Sequence, residues 1–142
     1  MSTSKPTSKP AALTPSEREA LLNAAKIALQ QAYAPYSKFH VGASVLTEKG
    51  SIYSGCNVEN ASYGLTNCAE RTAIFSAVAA EGPTMRLRAV AVASDPSCAC
   101  APCGACRQVI FEFGAQAVVL YPGKEHVEEK LACELLPDGF AL

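Results

Sequence analysis

Three cysteines and one glutamate, contributed by two separate stretches of the chain, constrain the fold more than any other feature. The first stretch is Cys68-Ala69-Glu70, and the second is Cys103-Gly104-Ala105-Cys106, which Pro102 precedes. A catalytic zinc ion takes three protein ligands and leaves its fourth position open for water. Three thiols and an acid that is not needed as a ligand therefore indicate a site that activates water, with the acid as proton shuttle.

Other interpretations of these residues remain open on the sequence alone. A structural zinc site with four ligands would use the cysteines closest together in the chain, which are Cys98, Cys100, Cys103 and Cys106. Cys103 and Cys106 could also form a thioredoxin-like redox pair, although that function explains neither Cys68 nor Glu70. Glu70 could in addition form a capping box with Asn67 at the start of a helix.

The composition is typical of a single globular domain. The chain has 142 residues, of which 49% are hydrophobic and 18% charged, and this length suffices to bury about two-thirds of the unfolded surface. The formal net charge is −1 and the basic residues are scattered, which argues against a nucleic-acid groove. Apolar runs such as residues 89–93 are far too short to span a membrane. We therefore expect neither nucleic acid nor a membrane as a partner.

The cysteine count and the N-terminal composition bear on the compartment and on the domain boundary. Seven cysteines is an odd number and no signal peptide is evident, which predicts a reducing, cytoplasmic environment with some thiols on metal. Residues 1–13 are rich in Ser, Thr, Lys and Pro and contain no acidic residue, which predicts a disordered tail. We expect a single catalytic domain over residues 14–142.

Hydrophobic periodicity and capping residues predict an α/β fold. Thr14-Pro15-Ser16-Glu17 is a strong helix start, and alternating apolar residues after Phe39 indicate a strand. The predicted elements are, in order, a helix at 14–34, strands at 39–47 and 51–56, a helix at 67–82, a strand at 88–94, a helix at 103–113, a strand at 115–121 and a short helix near 128–136. This order predicts a three-layer α/β/α sandwich with a mixed central sheet of about five strands.

The predicted elements explain the spacing of the metal-ligand candidates. Cys68 falls in the first turn of one helix, and Cys103 and Cys106 fall in the first turn of another. Residues three apart share a helix face, and the partial positive charge at a helix N-terminus favours thiolate. Two such helices side by side on a sheet can bring the thiols together and place Glu70 near the open coordination position.

The motifs of this chain resemble those of the small homotetrameric cytidine deaminases from about residue 14 to residue 140. The matching stretches are residues 36–43 (YSKFHVGA), 55–63 (GCNVENASY), 68–71 (CAER), 102–108 (PCGACRQ) and 134–137 (ELLP). The resemblance implies a cytidine deaminase-like fold with one zinc ion per chain, bound by Cys68, Cys103 and Cys106, and Glu70 as proton shuttle. It also implies hydrolytic deamination of cytidine and 2′-deoxycytidine to uridine and 2′-deoxyuridine with release of ammonia, a step of pyrimidine salvage.

The same resemblance implies the substrate contacts and the assembly. The substrate-binding residues that it implies are Phe39, Asn57, Glu59, Tyr63, Ala69 and Phe140. Phe140 would reach the site of a neighbouring subunit and Tyr63 would lie in the same zone, so that the subunits of a homotetramer share their active sites.

Elementary chemistry supports several of these implied roles. Asn57 and Glu59 alternate in an extended segment, so both side chains can face a ribose, although Asn57 also suits a turn and Glu59 a solvated face. Phe39 at a strand start is by default a core residue. Arg71 could offset the negative charge that three thiolates place around zinc.

Two other functions remain open on the sequence. One is a deaminase of another small aminopyrimidine nucleoside, such as a nucleoside antibiotic, and the other is a structural zinc module without activity. The Asn57 and Glu59 pair favours a substrate with ribose. Cys98 and Cys100 are additional thiols in the loop before Pro102 and have no assigned role.

Overall fold

The structure is a computed structural model that describes residues 12–142. Most of the predicted N-terminal tail, residues 1–11, lies outside the described residues. Within the described part, Leu13 is half-buried against the core beneath the first helix. Packing therefore extends one residue before the predicted domain boundary at Thr14.

Residues 12–142 form a five-stranded mixed sheet with four α-helices. The elements are α1 (Pro15–Leu29), β1 (His40–Thr47), β2 (Ile52–Cys56), a 3₁₀ turn (Tyr63–Leu65), α2 (Ala69–Glu81), β3 (Leu87–Asp95), α3 (Gly104–Phe113), β4 (Val118–Pro122), β5 (Val127–Leu131) and α4 (Ala132–Leu135). The strand order is β2-β1-β3-β4-β5, in which β3 and β4 are parallel and the other neighbours antiparallel. The predicted α/β fold with about five strands is confirmed.

The core divides into two layers, one on each face of the sheet. Alternate residues of β3 point to opposite layers, with Val90 and Val92 toward α2 and α3 and with Ala89 and Ala91 toward α1. All four are buried, which matches the nearly continuous apolar sequence of this central strand. The sheet between helical layers is the predicted sandwich.

The first helix begins as predicted and ends earlier. Thr14 Oγ1 accepts a hydrogen bond from the Glu17 amide at 3.1 Å, and the Glu17 carboxylate accepts one from the Thr14 amide at 3.0 Å. The prediction that the helix runs to Ala34 is wrong, because α1 ends at Leu29. The Tyr33 amide donates to the carbonyl of Asn57, so a tertiary contact takes the backbone group that a longer helix would use.

Two glycines allow the helices to approach the hairpin of β1 and β2 closely. A Cβ atom on Gly42 would lie 2.0 Å from the carbonyl oxygen of Ala25 in α1. A Cβ atom on Gly55 would lie 2.5 Å from the amide nitrogen of Ala73 in α2. Neither position has room for a side chain, so Gly55 sets the height of α2 above the sheet.

The C-terminal part corrects one prediction. A helix beginning near residue 128 is wrong, because Val127–Leu131 form the edge strand β5 and only Ala132–Leu135 form α4. Leu131 pairs with Val118 of β4 in an antiparallel register. Glu129 and Lys130 are exposed on this edge, where charged residues discourage pairing with another chain. Among residues 12–142, no helix is both long and apolar enough to cross a membrane.

Candidate active site

The three predicted zinc ligands converge at the N-termini of α2 and α3. Cys68 is the N-cap of α2, Cys103 is the N-cap of α3, and Cys106 lies in the first turn of α3. Their three Sγ atoms lie within 4.8 Å of one another, and those of Cys68 and Cys103 are 3.9 Å apart. In residues 12–142 this is the one cluster of its kind, and neither Cys98 nor Cys100 belongs to it. The alternative four-cysteine site is therefore not formed.

The geometry and chemistry of the cluster fit zinc. Two sulfurs that each lie 2.3 Å from a tetrahedral zinc ion are about 3.8 Å apart, close to the separation of Cys68 and Cys103. Cys106 is buried, Cys68 is half-buried and Cys103 is exposed. The cluster is thus open toward solvent on the side of Cys103, which leaves access for water at a fourth coordination position.

Arg71 places a positive charge beside the thiols. Its Nη2 donates a hydrogen bond to Cys68 Sγ at 3.1 Å, while its Nε is buried and has no hydrogen-bond partner. A buried N–H donor without a partner is costly, and negative charge on the neighbouring sulfurs would offset that cost. The position of Arg71 therefore suits thiolates better than three neutral thiols. The hydrogen bond from Cys106, together with Arg71, lowers the pKa of Cys68 to about 5. The pKa of Cys106 is raised because its proton is held in that hydrogen bond to Cys68.

Glu70 is a buried acid at the same helix end. Only 4% of the residue is exposed, and this burial raises the pKa of its carboxyl, with the Cys68 thiolate adding to the rise. The capping-box alternative for Glu70 is wrong, because the N-cap of α2 is Cys68 and the Asn67 side chain donates to Thr72 Oγ1 at 3.1 Å. A carboxyl in this position is more readily protonated than an exposed glutamate.

Asn57 joins the end of β2 to the start of β1. Its Oδ1 accepts a hydrogen bond from the Val41 amide at 2.8 Å, and its Nδ2 donates to the Phe39 carbonyl at 2.8 Å. One N–H of the amide stays free for another acceptor. Phe39 is half-buried and packs against the core on the α2 side, so Asn57 fixes the backbone that carries Phe39.

The Glu59 carboxylate is bound by the turn that precedes β1. Its Oε1 accepts hydrogen bonds from the Tyr36 and Ser37 amides at 2.9 and 3.1 Å, and its Oε2 accepts one from the Ser37 hydroxyl. The hydroxyl of Ser37 is the main reason that the pKa of Glu59 is lowered. Glu59 lines a depression of about 310 Å³ together with Tyr36, Ser37, Asn60, Tyr63 and Thr66.

Two other predicted substrate contacts are exposed in the single chain. Tyr63 is 77% exposed and meets the Tyr36 ring edge to face, with ring centroids 6.3 Å apart. Phe140 is 70% exposed, and its carbonyl accepts a long hydrogen bond of 3.5 Å from Gln108 Nε2. Ala69, between Cys68 and Glu70, is completely buried.

Two residues of the site, Ser37 and Arg107, were not predicted from the sequence. Ser37 binds Glu59 across the fold, and Arg107 donates to the carbonyls of Pro102 and Leu135 at 2.7 and 3.0 Å. The Ser37–Glu59 and Arg107–Leu135 bonds join residues that lie 22 and 28 positions apart in the sequence. Ser37 lies in the stretch 36–43 and Arg107 in the stretch 102–108, both of which match the deaminase motifs. Those positions were the available signal that the two residues belong to the site.

Comparison with known families decides the relationship. The family model of the cytidine and deoxycytidylate deaminase zinc-binding region matches residues 15–122, which is most of the chain. The chain belongs to this family. The predicted family is thereby confirmed. The predictions that the chain is a hydrolase and that it uses zinc are confirmed with it.

Individual relatives agree over nearly the whole chain. The cytidine deaminase of Sporosarcina psychrophila is 50% identical over 125 residues, which are 87% of this chain and 90% of the relative. The crystal structure of cytidine deaminase from Burkholderia pseudomallei is 51% identical, with a TM-score of 0.79 over 86% of this chain and 98% of that one. The cytidine deaminase from Mycobacterium tuberculosis is 40% identical, with a TM-score of 0.77 over 89% and 98%. The predicted deaminase fold is therefore confirmed.

Proposed function

We propose that this chain removes the amino group of cytidine and 2′-deoxycytidine by hydrolysis. The products are ammonia and uridine or 2′-deoxyuridine. One observation carries the proposal: the thiols of Cys68, Cys103 and Cys106 meet beside the buried carboxyl of Glu70. The relatives named as cytidine deaminases support the choice of substrate, because their similarity extends over both zinc motifs and the segment of Asn57 and Glu59.

The proposal gives each residue of the cluster a part in the reaction. Cys68, Cys103 and Cys106 hold zinc, which when bound polarises water and so makes it a nucleophile near neutral pH. Glu70 would accept a proton from the attacking water and pass it to the ring nitrogen of the base. It would then take the remaining proton of the hydroxyl added to the ring carbon and deliver it to the amine, which leaves as ammonia when the C–N bond breaks. Its burial suits this function, because the raised pKa makes the carboxylate a better proton acceptor than an exposed glutamate. Arg71 offsets the charge of the thiolates.

The nucleoside would lie between the thiol cluster and the Asn57–Glu59 segment. We infer that Glu59 and the free N–H of Asn57 bind the ribose hydroxyls, while Phe39 stacks on the base. Ala69, enclosed between a zinc ligand and the acid, forms part of the wall behind the base. Free cytosine lacks the ribose, so it should be a very poor substrate, because the energy of sugar binding positions the base.

The chain would complete its active site as a homotetramer. Cys103 is exposed, and so are large apolar side chains of the 57–67 loop and of the C-terminal segment, namely Tyr63, Leu65 and Phe140, each more than half exposed. Such a surface suits burial by a second copy of the chain. We place Phe140 over a neighbour's substrate and Tyr63 in the same contact.

All seven cysteines are free, which suits the reducing cytoplasm.

Two measurements test the assembly. Native mass should equal about four chains. Deletion of residues 140–142 should raise KM for cytidine and leave the zinc content unchanged, because the zinc ligands lie elsewhere. A fully active monomer would contradict the shared site.

The replacement Glu70→Gln tests the reaction itself. Gln keeps the shape of the side chain but cannot carry the proton, so the variant should fold and hold zinc while turnover of cytidine falls by more than about 10²–10⁴-fold. Glu81→Gln, at the other end of α2, is the matched control and should keep normal turnover. Absorbance loss with cytidine measures both. Near-normal turnover by Glu70→Gln would refute the mechanism.

A further inference from the structure

Arg107 connects two parts of the chain on which the proposed site depends. It follows Cys106 in α3 and is half-buried. Its Nε donates to the Pro102 carbonyl at 2.7 Å, and its Nη1 donates to the Leu135 carbonyl at 3.0 Å. One guanidinium thus binds the turn before α3 and the last residue of α4.

The bond to Pro102 controls the residue that carries a thiol. The carbonyl of Pro102 and the amide nitrogen of Cys103 belong to one peptide plane, which is rigid. Orientation of that carbonyl therefore orients the start of Cys103, whose side chain makes no capping hydrogen bond of its own. The preceding loop is also held by the Cys100 amide, which donates to the Pro122 carbonyl at 2.8 Å. Arg107 binds closer along the chain to Cys103, at the residue directly before it.

The bond to Leu135 holds the end of α4, while the start of α4 is held by the Ala132 and Cys133 amides, which donate to the Ala117 and Ala115 carbonyls at 2.9 Å each. α4 has four residues, too few for a helix to be stable by itself, so contacts with the rest of the fold must hold it. The chain continues from Leu135 to the exposed Phe140, which Gln108 contacts only through a 3.5 Å hydrogen bond. Arg107 therefore supplies the shorter polar contact between α3 and this segment.

We propose that Arg107 is a positioning residue that fixes Cys103 and the C-terminal segment relative to each other. Its planar guanidinium directs several N–H groups in fixed directions and can satisfy two carbonyls at once, whereas lysine has a single ammonium centre. This role rests on the proposed function, in which the thiols bind zinc and Phe140 contacts the substrate of a neighbouring subunit. It adds that retention of zinc and binding of nucleoside depend on the same side chain.

Zinc release tests the first half of the inference without any turnover. The holoenzyme is mixed with excess chromogenic chelator, and the release rate is compared among wild type, Arg107→Met and Arg107→Lys. Residues that orient metal ligands typically change affinity by about 10–100-fold, so both variants should release zinc about 10-fold faster or more. Arg88→Met removes a distant ion pair with Glu17 and controls for loss of stability, and its release rate should be that of wild type.

Several results would overturn the positioning role. Wild-type release by Arg107→Met would show that Cys103 does not depend on the side chain. A wild-type rate of zinc release in Arg107→Lys would show that the positive charge is sufficient and that the geometry of the guanidinium is not needed. An equally fast release of zinc by Arg88→Met would show that general loss of stability, and not the position of Cys103, causes the release. Arg107→Lys keeps the charge and most of the side-chain volume, so it serves the test even if Arg107→Met fails to fold.

Kinetics test the second half of the inference. Arg107→Met should raise KM for cytidine, and further deletion of residues 140–142 should raise it no more, because contacts that act through one element are not additive. Independent, multiplying effects would overturn the link to Phe140. A wild-type protein that does not deaminate cytidine would refute the proposed function, while the zinc-release comparison would still decide the role of Arg107.

Discussion

Gly55→Ala is the replacement whose consequence follows most directly from the fold. The new Cβ would lie 2.5 Å from the Ala73 amide nitrogen and 2.8 and 2.9 Å from Cβ and the carbonyl carbon of Thr72, whereas ordinary contact begins near 3.4 Å. Two of these atoms belong to the helix backbone, so no side-chain rotation relieves the overlap. Strand β2 and helix α2 must separate by up to about 0.9 Å at this point.

The stability cost and the activity cost can be estimated separately. Overpacking of a core costs about 1–3 kcal/mol, and the lower entropy of unfolded alanine offsets about 0.4–1 kcal/mol of that. The net loss of about 0–2.5 kcal/mol corresponds to a fall in Tm of up to about 10 °C. The displaced helix carries Cys68 and Glu70, and an error of about 1 Å in a catalytic geometry can reduce the rate about 100-fold.

Thermal unfolding, zinc content and kcat/KM for cytidine are measured on the same preparations. Gly55→Ala should lose about 10–100-fold in kcat/KM, far more than its fraction of unfolded protein explains. Ser54→Ala, at the exposed neighbour of Gly55 in β2, is the matched control, and it should match wild type in Tm. A kcat/KM within twofold of wild type for Gly55→Ala would refute the claim that this contact sets the position of α2.

Three further replacements test the site and the fold. Asn57→Asp replaces the donor to the Phe39 carbonyl by an acceptor, so it should lower the free energy of unfolding by about 1–3 kcal/mol and raise KM for cytidine; an unchanged KM would contradict the role of Asn57. The Arg88 guanidinium lowers the pKa of Glu17 to about 2, so this pair stabilises the fold above about pH 4.5 and loses its effect as the pH falls toward 2. The Tm difference between wild type and Glu17→Gln should therefore shrink below pH 4.5, and a constant difference would contradict this. Cys98→Ser should retain one zinc per chain by metal analysis, and loss of zinc would return Cys98 to the ligand set.

The features that could be predicted from the sequence are those specified by local pattern. The capping box at Thr14 and Glu17 needs only four consecutive residues, and it forms as expected. The start of α3 at Gly104, one residue after the predicted start at Cys103, follows from the preceding proline and the apolar spacing after it. The convergence of Cys68 with Cys103 and Cys106 was predictable because zinc chemistry explains three thiols and an acid better than any local structure does.

The features that could not be predicted depend on contacts between distant segments. Residues 127–131 carry two glutamates and a lysine, which suit a helix, yet they form a strand because the edge of β4 is available. The end of α1 is likewise set by the bond between Tyr33 and Asn57. Ser37 and Arg107 show the same limitation within the site, since the partners that give them a role are known only once the chain has folded.

The placement of cysteine at two N-caps links the chemistry of the site to the stability of its helices. Ser, Thr, Asp or Asn at an N-cap stabilises a helix by about 0.5–2 kcal/mol, but neither Cys68 nor Cys103 makes a side-chain capping bond. The N-termini of α2 and α3 thus give up ordinary capping at the point where they face each other. Negative charge at a helix N-terminus restores part of this loss, and cysteines that bind zinc as thiolates would supply that charge. The same residues that would bind zinc therefore complete the two helix ends, so a metal-loaded cluster and a well-ordered pair of helices favour each other.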